Sequence, residues 1–174
     1  MNEIEIMNEL YLIEYGWLDK NNNIHKIVDE TFSSNYRLQA PKDVLQNKVG
    51  VCWDQVELER YLFDKTNLAY KTYFIVHYDN NKCPTHTFLT YEKNNKVYWF
   101  EHSWSEYRGI HEYNNWKELL KDVKRKFIIT ELNGCYDEMN LVIYEYTKPK
   151  HGIGVLEFYK HCETGIQVNQ KELL

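Results

Sequence analysis

The run KVGVCWDQVELERYLF, residues 48–63, sets a cysteine two residues after a glycine and then continues without Gly or Pro. Its Glu, Leu, Gln and Arg content predicts a helix from Cys52 to about Asp64, with the thiol at the N-terminus. Backbone N–H groups left unsatisfied there, together with the helix dipole, favour negative charge and therefore a thiolate nucleophile. Gly50 lets the chain turn tightly into the helix and leaves N–H groups open to an incoming carbonyl oxygen. Buried structural cysteines are common, so the helix start alone does not make Cys52 a nucleophile. It needs a histidine base, and the base needs a group to orient it.

Both partners are available in THTFLTYEKNNKVYWFEHSW, residues 85–104. Asn94 and Asn95, which tolerate positive φ, suit a two-residue hairpin turn. That turn puts His86 opposite Ser103 and Phe88 opposite Glu101. Side chains alternate along a strand, so His86 and Glu101 become diagonal neighbours on one face, within reach of an imidazole–carboxylate hydrogen bond. A one-residue slip would bring His102 or Phe100 there instead.

At these residues the chain resembles the transglutaminase-like superfamily, a branch of the papain-like cysteine fold. The resemblance spans residues 41 to about 104. It rests on Gly50-Val51-Cys52-Trp53 opening a helix, Thr85-His86-Thr87-Phe88 opening a strand, and Glu101 ending the next, in the family's order of Cys, His, acid. The family usually has Asp as its third member; Glu is one methylene longer, so here the backbone must stand further from the imidazole. The resemblance implies that Cys52 attacks a peptide or carboxamide carbonyl to give a thioester. His86 moves the proton and Glu101 holds its tautomer. Water as acceptor gives a peptidase or amidase, an amine a transglutaminase. The oxyanion donors would be the Cys52 N–H and one of Gln39, Gln46 or Asn47, with Trp53 and Trp104 either walling the cleft or serving as core aromatics. The alternative is a non-catalytic interaction module on the same fold, because fold membership does not establish activity.

The elements that must position these residues are legible from periodicity. IMNELYLIEYGW has apolar residues at helical spacing, with Gly16 as a C-terminal stop, and NNNIHKIVDETF reads as a turn followed by a strand or loop. The apolar residues after Cys52 spread round much of the helix, which predicts burial on more than one side. YKTYFIVHY, HTFLTYE and KVYWFEHSW are aromatic and β-branched runs separated by polar turns, an antiparallel meander. YNNWKELLKDVKRKF starts with Asn115 and Glu118, a capping-box-like helix entry, and NLVIYEYTK is a further strand. This order predicts one α+β domain, residues 1–174, with N-terminal helices packed on an antiparallel sheet.

Composition narrows the partners. A net charge of -5 argues against non-specific attraction to nucleic acid or anionic lipid. The acidic start MNEIEIMNEL is unlike a signal peptide, and no long apolar run occurs, so a cytoplasmic protein without membrane contact is expected, with a peptide or protein as substrate. Cys83 and His86 make a Cys-x-x-His pair, which a zinc site would have to complete with Cys52, His102, Cys135 or Cys162. No second close pair follows, so neither metal nor cofactor is expected. His25, His77, His102, His111 and His151 lack positioned partners in sequence and default to structural roles. The glycines at 152 and 154 are not followed by the Lys-Ser/Thr of a phosphate loop.

Overall fold

The computed structural model describes residues 1–80 and 82–174. Its elements are α1 (Glu3–Leu10), a small hairpin of β1 (Trp17–Leu18) and β2 (Ile24–His25), α2 (Phe32–Asn35), α3 (Pro41–Asn47) and α4 (Cys52–Phe63). Then come β3 (Tyr70–His77), β4 (Thr85–Lys93), β5 (Lys96–Glu101), β6 (Gly109–Tyr113), α5 (Trp116–Leu132), β7 (Leu141–Tyr146), α6 (Val155–Glu163) and β8 (Ile166–Gln167). The fold is α+β, with a six-stranded antiparallel sheet in the order β6-β5-β4-β3-β7-β8.

The alternation of side chains sends consecutive residues to two different cores. Tyr73, Ile75, Phe88 and Trp99 pack with Leu119, Val123 and Phe127 of α5. Phe74 and Val76 pack with Trp53 and Val56 of α4, while Leu89 and Phe100 pack with its Leu58 and Leu62. The sheet is thus covered by α5 on one face and α4 on the other. Every α4 residue except Tyr61 is buried, matching the all-round apolar pattern in its sequence.

Three local features differ from the sequence reading. Helix α1 stops at Leu10 rather than at Gly16, because Asn2 and Glu5 cap its start and Leu12 and Ile13 close its end with short-range bonds to Glu9 and Leu10. Gly16 instead permits a close approach: a Cβ there would lie 2.7 Å from the His25 carbonyl oxygen and 2.8 Å from Val49 Cγ2. Gly50 serves similarly, since a Cβ would meet that of Asp54 at 2.9 Å. Helix α6 was not foreseen behind Pro149 and two glycines, although Phe158 and Cys162, its buried residues, stand at helical spacing.

Candidate functional site

Helix α4 starts at Cys52 because Asp54 caps it. The Asp54 Oδ2 accepts the Val51 N–H at 3.1 Å, while Oδ1 accepts the Tyr36 hydroxyl at 2.7 Å and the Gln39 N–H at 2.9 Å. Burial pushes the Asp54 carboxyl up to about 7, against the lowering effect of these donors. The entering strand is fixed as well: Gly50 N–H donates to Glu14 O, and Gln55 Nε2 donates to Gly50 O at 2.8 Å. Cys52 is thereby held at the first helical position, only 6 % exposed, on a cavity of about 330 Å³.

The hairpin supplies the partners in the expected register. Asn94 and Asn95 both have positive φ, 52° and 60°, and Lys93 pairs with Lys96, Thr90 with Trp99 and Leu89 with Phe100. His86 Nε2 lies 2.7 Å from Glu101 Oε2. With that nitrogen engaged, Nδ1 is the ring nitrogen left free, and the Cys52 sulfur is close enough to the ring to favour its charged form. Burial works against charge on His86, but the Glu101 carboxylate and the Cys52 sulfur outweigh it and raise the imidazole to about 10.

Glu101 is 2 % exposed, and both its oxygens are engaged. Oε2 also accepts Trp99 Nε1 at 3.1 Å, and Oε1 accepts the Trp104 N–H at 2.9 Å and the Ser103 hydroxyl at 3.2 Å. These donors satisfy a buried carboxylate that would otherwise be costly. Trp104 packs its ring on His86 with centroids 4.4 Å apart. It therefore covers the base instead of lining the thiol cavity. Trp53 takes both of its foreseen roles: it lines that cavity and stacks on Phe158 at 4.2 Å, with its indole N–H donating to Thr85 Oγ1.

The three amide side chains considered as oxyanion donors lie elsewhere. Gln39, Gln46 and Asn47 line a separate cavity of about 730 Å³, bounded also by the β1–β2 turn. Gln39 Nε2 donates to Val49 O at 2.9 Å and its Oε1 accepts Asn47 Nδ2 at 3.1 Å, so the pair braces the strand leading to Cys52. The cavity at Cys52 contains instead Tyr15, which sequence reasoning missed. Tyr15 is 46 % exposed, but desolvation at its hydroxyl and then the neighbouring charge of Cys52 raise the phenol above its usual range, keeping it an O–H donor. Helix geometry also leaves the Cys52 and Trp53 N–H groups without intrahelical partners. No spacing in the sequence ties Tyr15 to Cys52, whereas Asp54 follows Val51 by the three residues of a helix cap and was findable.

The proposed zinc ligands do not assemble: among the described residues no group of three His, Cys, Asp or Glu could hold a metal ion. The Cys83 thiol donates to Asp79 O instead. His102 is structural, its Nδ1 bonded to Gln55 Oε1 at 2.6 Å, and burial followed by the charge of Arg108 lowers it to about 4. No helix among the described residues is long and apolar enough to cross a membrane. No known family profile matches the chain, and neither does any curated protein sequence.

Proposed function

We propose that the protein is a thiol-dependent amide hydrolase or acyl transferase of transglutaminase-like, papain-like architecture. The observation that carries this reading is the Cys52–His86–Glu101 chain, with the sulfur at a helix N-terminus, the imidazole between sulfur and acid, and the acid buried and saturated with donors. A protonated imidazole beside a sulfur at a helix N-terminus is the arrangement by which thiol enzymes activate their nucleophile.

In the reaction, Sγ adds to the carbonyl carbon of a peptide or carboxamide. The oxygen that becomes negative is met by the Cys52 N–H, with the Tyr15 hydroxyl as a second donor beside the thiol. The C–N bond then breaks, and His86 delivers its proton to the departing amine. The resulting thioester is attacked by water or an amine, with His86 taking the proton and Sγ leaving. Glu101 keeps Nε2 of the ring protonated and Nδ1 facing sulfur throughout.

Alkylation by iodoacetamide near neutral pH, with sites assigned by mass spectrometry, tests the reading. Cys52 should label fastest despite its burial, and His86→Ala should abolish that advantage. Equal, slow labelling of Cys52 and Cys162, both buried, with faster reaction at exposed Cys83 and Cys135, would sink it and leave a non-catalytic module.

A further inference from the structure

The cavity at Cys52 does not end at the thiol. It shares Val28, Phe32, Ser33, Cys83, Pro84 and Glu131 with a second cavity of about 1000 Å³, so the two form one continuous groove. The extension lies on the base's side of the sulfur. His77, its deepest polar group, ends β3 and donates its N–H to Pro84 O, just before β4 carries His86. Glu131 lies near Trp104, whose ring covers His86, and the charge on His86 favours its carboxylate against the raising effect of burial. Since His86 must hand its proton to the leaving amine, the extension receives the part of the substrate beyond the reacting nitrogen.

Two independent features of that extension define its ligand. Asp29, Glu30, Asp79 and Glu131 supply four carboxylates against the single amine of Lys82. Asp29 is held below the usual carboxylate range, chiefly by the Thr31 hydroxyl, and is therefore ionised. The second feature is His77, which is 7 % exposed. Its Nε2 accepts the Asp137 N–H at 3.2 Å, so the proton resides on Nδ1, and that buried donor has no hydrogen-bond partner among the described residues. A carboxylate-rich wall selects cations, while an unpaired imidazole N–H lining the groove calls for a carbonyl oxygen.

We infer that the groove binds a basic polypeptide on the amine side of the reacting carbonyl, with Lys or Arg side chains facing Asp29, Glu30 and Glu131 and a main-chain carbonyl accepting from His77. This assignment rests on the thiol-enzyme reading above. It makes the protein selective for the charge of the segment after the scissile amide, independently of what occupies the acyl side.

Chloroacetyl peptides provide the test, because Sγ displaces chloride from their terminal carbon and leaves the peptide extending on the amine side. Chloroacetyl-Gly-Lys-Gly-Lys amide is compared with its Gln and Glu counterparts, each rate at Cys52 divided by the iodoacetamide rate of the same protein. The Lys peptide should exceed the Glu peptide by about tenfold at low salt, with the ratio falling as salt rises, as expected of partly exposed charges. The double variant Glu30→Gln, Glu131→Gln should reduce the ratio to about threefold or less. Equal rates for the three peptides at a Cys52 that iodoacetamide still singles out would overturn the inference alone. Loss of the iodoacetamide preference would instead overturn the thiol-enzyme reading. Chloroacetyl-spermidine, which has positive charge but no carbonyl beyond the linkage, should react more slowly than the Lys peptide, and an equal rate would overturn the polypeptide assignment.

Discussion

Replacing Glu101 by Gln isolates the electrostatic part of the site. Across the 2.7 Å contact with His86 the carboxylate supplies an attraction on the order of 6 kcal/mol at an effective dielectric of about 20. Burial of the ring opposes this, and the balance leaves the imidazole raised to about 10 from an ordinary 6.5. Without that charge, burial is opposed by the sulfur and by the carboxyl groups of Glu59 and Glu131, so the midpoint should fall by roughly two units, each about 1.4 kcal/mol. The amide also cannot replace both oxygens: its NH2 must face either His86 and Trp99 or the Trp104 N–H, which costs about 1–3 kcal/mol of stability. The His86 ring resonances, followed by NMR against pH, should show the lowered midpoint, and alkylation of Cys52 at pH 7 should slow by at least about tenfold. Glu101→Asp, which keeps the charge, should retain a midpoint well above that of the Gln variant. An unchanged His86 midpoint and alkylation rate in a folded Glu101→Gln protein would refute the account, because the acid would then be only a structural spacer.

Two further outcomes follow from the same contacts. The His86 midpoint is raised on folding from 6.5 to about 10, so the folded state binds the extra proton between these values. The stabilisation is then complete below about pH 6.5 and is lost as pH rises towards 10, with a ceiling on the order of 5 kcal/mol. Urea unfolding of the wild type against His86→Gln, which cancels the tyrosines, should show a stability gap that narrows steadily over this range; a constant gap would contradict the linkage. Gln39→Ala should cost about 1–3 kcal/mol by stranding Val49 O and Asn47, while leaving the alkylation rate per folded molecule within about twofold of wild type. A loss of reactivity in that variant without a loss of stability would return Gln39 to the oxyanion role.

What could be read from the sequence and what could not divide along a physical line. The hairpin register was legible because a two-residue Asn-Asn turn fixes which residues face each other, and strand alternation does the rest. Burial of α4 on all sides was legible because its apolar residues are not confined to one stripe. The position of Tyr15 beside Cys52 was not, nor was that of Gln39 away from it, because these residues lie in two separate connections, after α1 and between α2 and α3, where no period dictates direction. There, position is decided by long-range contacts, such as the bridge between Glu14 and Val49 and the capture of Gln39 by Asp54. Helix α6 was obscured by the proline and glycines before it, which are turn residues by propensity, and by a buried face of only two residues, Phe158 and Cys162.

The same register explains why a side chain as long as Glu at position 101 reaches His86. Pairing between β4 and β5 ends at Leu89 and Phe100, three residues short of His86 on one strand and one short of Glu101 on the other. Beyond that pair β5 stays paired only with β6, where Glu101 pairs with Gly109, and the chain leaves the sheet at His102. Among the described residues His86 therefore has no strand partner on the β5 side, and the start of α4 lies against the start of β4, where Trp53 Nε1 donates to Thr85 Oγ1. A carboxylate reaching back past the end of this pairing must span more than an ordinary diagonal pair. The additional methylene of Glu provides that reach, and Trp99, Ser103 and Trp104 hold its two oxygens so that the longer, more flexible side chain has one orientation. The length of the Glu101 side chain and the number of donors on its carboxylate thus both follow from the end of β4–β5 pairing at Leu89 and Phe100.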